Sequence, residues 1–600
     1  VTSLPSHGDH FTFNKFLRPA KRVVALIQRA AEILVHDVEG GDRNNMFLLL
    51  RFQFALQSHV MYRLLVFALI AIALGSQSLP LPSAGSEPSP IVIKPAAMKR
   101  IATVDERYQS YNIEMAEVTG GSFWKPYPKN ESGDPKPAVQ SGANVPAGMN
   151  PNIYQYRPPI DLSNARRRKL AAALGPAYVR VSGTWANTTY FVDNDAPTPK
   201  EPPAGFSAIL TRTEWRGVVD FSRAVNANIV SSVAISPGTR TTSGVWMQTQ
   251  ARALYAYTRS IGGAISATEY MNEPTMALMG GAPKWYTAAD YGHDVKIFRA
   301  FLKSYSPATL LLGPGSVGEG GGVAPPATAG FLSSANLLKS AGPVFDVFSY
   351  HYYGAASQRC ASMGMPKTTA AAAFSETTLS GTDKVYAFYA RLRDTYEPGK
   401  AVWITETADA ACGGDPWAKT FLDTFRYLDQ LGRLAQHGVR VVFHNTLDSS
   451  DYGLLDENTL QPRPDYWAAL LWHRLMGTTV LSPGVATGDS LNVYAHCLRG
   501  VPGGVALLAI NLDRSVPHSM VVPEPAIQYT LSAKQLDSAS VLLNGHQLQL
   551  GLADSLPMLV PVSENRGTVA FGPATITFLA IPTAGNPACG NARKIKQGNT

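Results

Sequence analysis

Two glutamates in matching settings carry the chemistry that this sequence is equipped to do. Glu273 follows Ile265-Ser266-Ala267-Thr268-Glu269-Tyr270-Met271-Asn272 and precedes Pro274; Glu406 follows Ala401-Val402-Trp403-Ile404-Thr405. Each carboxylate closes a short β-branched and aromatic run, the pattern of a buried strand in a parallel sheet. A carboxylate at the C-terminal end of a barrel strand points to the face where such barrels do their chemistry. Two of them are what glycoside hydrolysis requires. Asn272 is placed to hydrogen-bond a sugar hydroxyl, and Pro274 disfavours helical geometry at Glu273 and fixes the turn leaving the strand.

The elements that must position this pair follow from the alternation of patterns. Strand-like runs fall at Ser110–Met115, Ala177–Ser182, Asn228–Ile235, Ser266–Met271, Thr309–Leu312, Val344–Tyr350, Ala401–Thr405 and Val439–His444. Amphipathic stretches such as Trp285–Tyr305, Asp383–Thr395 and Lys419–His437 lie between them. Eight strands with helical crossovers predict an α/β fold, a (β/α)8 TIM barrel over residues 103–477. An open doubly wound sheet is the rival, disfavoured because no Gly-rich nucleotide loop follows the first strand. From 478 to 590 short strand runs are separated by Gly, Pro, Asn and Asp with no helical period, which predicts a C-terminal antiparallel β-sandwich, with a possible added strand from residues 91–102. In the barrel, strands four and seven stand across the ring from each other. A separation of about 5 Å would make the mechanism retaining, with Glu406 attacking and Glu273 cycling a proton from a raised pKa.

The chain has 600 residues, 45% hydrophobic and 16% charged, with a net charge of +8. That length suggests two domains plus extras. Arg166-Arg167-Arg168-Lys169 reads as a solvated helix face, or as a surface attracted to polyanions. No nucleic-acid-binding motif accompanies it, so no nucleic-acid partner is expected. Residues 61–86 read as a secretory signal peptide: a basic start at Met61-Tyr62-Arg63, an apolar core from Leu64 to Leu74, then small residues. Residues 1–60 are then expected to be a non-native upstream extension, with a cytoplasmic tail before an anchor helix as the alternative. A secreted, periplasmic or extracellular location follows, with no stable membrane span once the signal is removed. The four cysteines suit that compartment; the pairs Cys360–Cys412 and Cys497–Cys589 are expected, although sequence alone allows three connectivities. The histidines show no metal-ligand spacing, so neither a metal nor a cofactor is expected. Asn130-Glu131-Ser132 and Asn187-Thr188-Thr189 are glycosylation sequons, and residues 591–600 read as a flexible tail.

Several segments, in order, resemble the heparanase and β-glucuronidase family of retaining glycoside hydrolases, glycoside hydrolase family 79. They are Leu174–Thr184, Met271–Pro274, Tyr350–Tyr353, Trp403–Thr407 with Cys412-Gly413-Gly414 after it, Asp451–Glu457, Pro464–Trp467 and Val505–Leu512, and the resemblance covers roughly 95–590. It implies Glu273 as acid/base and Glu406 as nucleophile. It also implies that Tyr452 and the backbone amides of Gly413 and Gly414 hold a uronate carboxylate, and that Glu114, Thr184 and Asn272 meet sugar hydroxyls. His351 and Tyr352 would line the pocket near the nucleophile. The substrate is then a glycan or glucuronide, including an acidic polysaccharide, and the enzyme is expected to be a monomer. Thr189–Arg212 is too short for the excisable linker of heparanase, which implies a single-chain enzyme and leaves endo and exo action both open. A retaining enzyme on neutral sugars of xylan or glucan type, and a catalytically silent carbohydrate-binding protein, are the other readings.

Overall fold

The structure is a computed structural model that describes residues 91–127, 145–324, 330–485 and 490–590. The extension, the signal peptide, the Asn130 sequon and the tail from 591 lie outside the described residues. Pro90–Thr600 forms one compact unit.

Eight strands close into a barrel in sequence order: β1 Gln109–Glu114, β2 Ala177–Ser182, β3 Ala227–Ser231, β4 Ile265–Glu269, β5 Leu310–Ser316, β6 Val347–Tyr352, β7 Val402–Thr407 and β8 Val441–His444. All neighbours pair in parallel. This is the expected TIM barrel, with element ends shifted by a few residues. Helices Arg212–Ala224, Ala288–Tyr305, Gly381–Tyr396 and Phe421–Gln436 cross back between strands. Their starts are written locally: Thr211 with Glu214, and Thr287 with Asp290, each form a reciprocal capping box.

Inside the ring, an apolar plug of Val230, Ala267, Leu312, Trp403, Val441 and Phe443 fills the lower layer. Above it the inward positions turn polar. Strand alternation puts Tyr178, Arg180 and Ser182 on one face of β2, so a single strand contributes both to the plug and to the polar layer above it.

The C-terminal region is two sheets. A nine-stranded sheet includes Met476–Leu481, Leu491–Leu498, Val505–Asn511 and Thr575–Ile581; a three-stranded sheet faces it. Val505, Leu507 and Ala509 point between the sheets, whereas Ala506, Leu508 and Ile510 join the core of the barrel. That double burial explains why Val505–Ile510 is apolar throughout rather than alternating. The stretch 91–102 supplies two short strands rather than one. Pro95 starts a 3-10 turn between them, so Ile91–Val92 joins the small sheet and Arg100–Thr103 the large one. The first of these pairs in parallel, an exception within an otherwise antiparallel sandwich. Both cysteine pairs form disulfides, Cys360–Cys412 and Cys497–Cys589.

Candidate active site

Glu273 and Glu406 face each other across the C-terminal mouth of the barrel. A carboxylate oxygen of each and a ring nitrogen of His351 all lie within 4.8 Å of one another. The two acids reach this position differently. Glu406 sits beside Thr405 on β7, where the register against β6 slips by one residue. That irregularity turns both Thr405 and Glu406 inward, since an extra residue re-aims the side chain that follows it. Glu273 lies beyond β4 with φ +47°, a left-handed conformation that a side chain tolerates only when its surroundings enforce it. Asn187 supplies the enforcement: its Nδ2 donates to the Asn272 carbonyl at 3.0 Å, and its Oδ1 accepts from the Asn272 N–H at 2.9 Å. Asn187 is fully buried, so this sequon is a structural clamp on the acid's backbone and has no exposed amide to glycosylate.

Beneath the pair is an ionic floor that sequence reasoning missed. Arg180 donates to Glu406 Oε2 at 3.0 Å, to Glu269 Oε2 at 2.8 Å and to Asn272 Oδ1 at 2.7 Å. Glu269 Oε1 accepts from Ser349 and Thr405 at 2.8 and 2.7 Å. Burial pushes the Glu269 carboxyl up, but the Arg180 guanidinium and the other donors more than offset it and hold it below the usual range. The signal was present in the sequence as two charges inside otherwise apolar strand runs, which a barrel interior accepts only when they are paired.

Glu406 receives a second donor, the Tyr353 hydroxyl, at 2.8 Å. Asn445 Nδ2 donates to Tyr353 and to Tyr452, at 3.1 Å each. One amide thus orients two hydroxyls, with the Tyr353 proton directed at Glu406 and the Tyr452 proton left for the pocket. Here the expectation for Tyr352 is corrected. Period-two alternation on β6 faces His351 inward and Tyr352 outward, so Tyr352 lines a separate pocket with Thr382, Asp409 and Arg426. The tyrosine at Glu406 is the next one along, Tyr353.

His351 is buried between Glu273 and Arg180. Its Nε2 lies 3.3 Å from Arg180 Nη2, which can only donate, so Nδ1 carries the ring proton and gives it to Glu273 Oε1 at 3.0 Å. Burial pushes the imidazole down to about 4, so it is neutral at ordinary pH. Glu273 itself is pushed up to about 7, chiefly by burial; Arg180 opposes the rise and Glu269 adds to it. From about pH 4.5 to 7 the folded protein therefore holds a proton that the unfolded chain has released, and stability falls as pH rises through that window. Glu273→Gln is expected to match wild-type stability at pH 4 and to exceed it increasingly towards pH 8, by up to about 3 kcal/mol. Thermal melts of both proteins across that range check it, and kcat/KM of the wild type should decline on the alkaline side near pH 7.

Glu114 and Thr184 line the same pocket as the two acids. Burial and the nearby Glu406 charge hold the Glu114 carboxyl well above the usual range. Gly183, at φ +86°, leaves room for it: a Cβ there would lie 1.5 Å from Glu114 Oε2. Asn272 lies just below the lining, its Nδ2 making a long 3.4 Å contact to Thr184 Oγ1.

The loop after β7 departs from expectation by about one residue. Gly414 N–H is already bonded to the Ala410 carbonyl at 3.2 Å, and the pocket is lined by Ala411 and Cys412 instead. The carbonyls of this loop are drawn away from the pocket. Cys412 and Gly414 accept from Arg359 and Gly413 accepts from Ser450, while Ser357 also bonds Cys412. The amides of Cys412 and Gly413 then meet no acceptor among the described residues, a nest suited to an anion. Gly413 is needed for space, since a Cβ there would lie 2.6 Å from the Trp124 ring. Arg359, itself paired with Asp451, was not singled out by sequence reasoning.

By spacing alone, Glu273, His351 and Glu406 could also bind a cation. The Arg180 guanidinium already stands against Glu406 and His351 and supplies the positive charge there. A barrel of this topology, with two facing carboxylates at its C-terminal mouth and a sandwich packed on its flank, is a glycoside hydrolase. The model of the glycosyl hydrolase family 79 N-terminal domain matches residues 161–432, which carry both glutamates. Heparanase-like protein 2 of Arabidopsis thaliana is 26% identical over 493 residues, covering 72% of this chain and 87% of that protein. Hyaluronoglucuronidase of Hirudo nipponia is 27% identical over 478 residues, covering 72% and 92%. A solved 4-O-α-L-rhamnosyl-β-D-glucuronidase from Fusarium oxysporum shares the fold with a TM-score of 0.55, at 14% identity over 82% of this chain and 99% of that one. The chain is similar to glycoside hydrolase family 79, the heparanase and β-glucuronidase family, over the matched residues and across most of these relatives' length.

Proposed function

We propose that this protein hydrolyses β-linked glucuronic-acid residues with retention of configuration. The observation that carries the reading is the asymmetry of two carboxylates within 4.8 Å: one is raised to about 7 and the other is held by Arg180 and Tyr353. A spacing of this order fits a retaining enzyme, whose carboxyl groups stand about 5–5.5 Å apart, better than an inverting one, where roughly 6.5–9.5 Å admits a water. Glu406 attacks the anomeric carbon as the glycosidic C–O bond breaks, and Glu273 gives its proton to the leaving oxygen. Glu273, now a carboxylate, takes a proton from water; the water oxygen attacks the same carbon, and the Glu406 carboxylate departs.

The uronate carboxylate is assigned to the Tyr452 hydroxyl and the amides of Cys412 and Gly413. Burial and the Glu406 charge hold the Glu114 carboxyl well above the usual range, and burial pushes Glu117 beside it up to about 8, which lessens the negative charge facing an anion. The two disulfides support an oxidising compartment, and hence secretion. Among the described residues no helix is long and apolar enough to cross a membrane.

The test is a pair of aryl glycosides with the same leaving group. The β-glucuronide should be turned over at least about 10²-fold faster in kcat/KM than the β-glucoside, because a site built to bind a polar group discriminates strongly against an analogue that leaves it unpaired. Tyr452→Phe should narrow that ratio. A preference for the glucoside would sink the uronate assignment and leave a neutral-sugar hydrolase.

A further inference from the structure

We infer that the leaving-group side of the cleft is a subsite for an apolar, ring-bearing aglycone rather than for a further sugar. This rests on the reading of the chain as a glucuronide hydrolase, and it concerns the part of the cleft that the reading leaves unassigned.

Glu273 must reach the leaving oxygen, so the aglycone lies against the residues that flank Glu273. The 3-10 turn Pro274–Met276 follows it directly. Thr275 pins that turn to the end of β5: its Oγ1 donates to the Val317 carbonyl at 3.0 Å and accepts from the Val317 N–H at 3.1 Å. Met276 and Val317 are therefore fixed beside the acid. Met279, Val323 and Met365 continue the same wall, and Met149 and Trp124 belong to the same apolar cluster. The space between the walls is about 780 Å3 including open solvent, enough for a monosaccharide and a bicyclic aglycone.

The chemistry of the walls decides between the two occupants. The polar groups at the catalytic floor are already used by the acids, the tyrosines and their partners. Beyond them the described lining carries no lysine, arginine, asparagine, glutamine or histidine. A second sugar brings several hydroxyls that need partners, and a sulfated sugar needs cations; these walls supply neither. Of the aromatic rings in the described lining, Trp124 has one face covered by Tyr154, with centroids 4.7 Å apart, and Trp185 packs edge-on against both. Four of the lining residues are methionines, Met149, Met276, Met279 and Met365. Methionine is unbranched and polarizable, and it contacts aromatic rings favourably while adapting to their outline. The wall is thus suited to a range of flat aglycones rather than to one.

The experiment uses the purified full chain and three β-glucuronides: phenyl, 2-naphthyl and a glucuronosyl disaccharide. Phenol and 2-naphthol are leaving groups of similar acidity, so their ratio reports on the subsite. The expected result is a kcat/KM for the naphthyl compound at least tenfold above the phenyl compound, with the disaccharide at least a hundredfold below it. Met276→Lys and Met365→Lys should each reduce the naphthyl-to-phenyl ratio severalfold; a ratio cancels any general loss of active protein. Equal values for naphthyl and phenyl, or a disaccharide cleaved as fast as either, overturn the inference while leaving the glucuronide reading intact. Turnover of the matching glucosides with no turnover of any glucuronide overturns both. The wild-type comparison decides the matter even if neither variant folds.

Discussion

Glu406→Gln is expected to reduce turnover of an aryl β-glucuronide by about 10⁶-fold, the order lost when a covalent nucleophile is removed. The amide is isosteric and can still meet Tyr353 and Arg180, so the fold should persist while the attacking electron pair is lost. The loss should appear in kcat and kcat/KM alike, because the covalent bond exists only beyond the ground state. An activated 2-fluoro-glucuronide, which slows release of the covalent intermediate, should label wild-type peptides containing Glu406 and no others. A label on Glu273, or a variant retaining a hundredth of its activity, would reassign the nucleophile. Glu273→Gln is the useful contrast. Acid assistance is worth about 10²–10⁴-fold, and it matters least where the leaving group departs easily.

Arg180→Met should be the most destabilising single change in the barrel. Arg180 is 1% exposed and stands between Glu269 and Glu406. Removing one partner of a buried ion pair costs about 3–5 kcal/mol, because the other charge is left without compensation. Here the residue left behind is chiefly Glu269, which lies fully buried within the barrel wall. The double change Arg180→Met with Glu269→Gln should therefore recover a good part of the stability without recovering activity, since Glu406 would still lack its cation. Chemical denaturation of the two single variants and the double variant gives the coupling energy. Additive losses would mean that the pair is only a packing element.

The fold was legible because each barrel strand is a short β-branched run that ends in a polar or glycine turn, and because eight of them alternate with amphipathic stretches. Glu273 and Glu406 were legible for a related reason: a carboxylate at the end of such a run has one usual destination. What was not legible was set by contacts across the ring. Arg180 and Glu269 each stand out as a charge in an apolar strand, but nothing along the chain says that they meet. Tyr353 was recoverable, since alternation from His351 selects it over Tyr352. The shift from the Gly413–Gly414 pair to the amides of Cys412 and Gly413 was not, because peptide orientation there is imposed by Arg359, Ser357 and Ser450, which come from other segments. Asn187 shows the opposite failure, in which a short motif suggested a surface modification at a residue that the fold places in the interior.

The large sheet of the sandwich has no solvent face along Val505–Ile510, because one side is the sandwich core and the other rests on the barrel. Helices Phe421–Gln436 and Pro464–Leu475 are buried along most of their length on that seam. The boundary near residue 477 is therefore a change of architecture but not a place to cut. A barrel ended there would present bare leucine, phenylalanine and tryptophan to water, so the two parts are expected to unfold in a single transition.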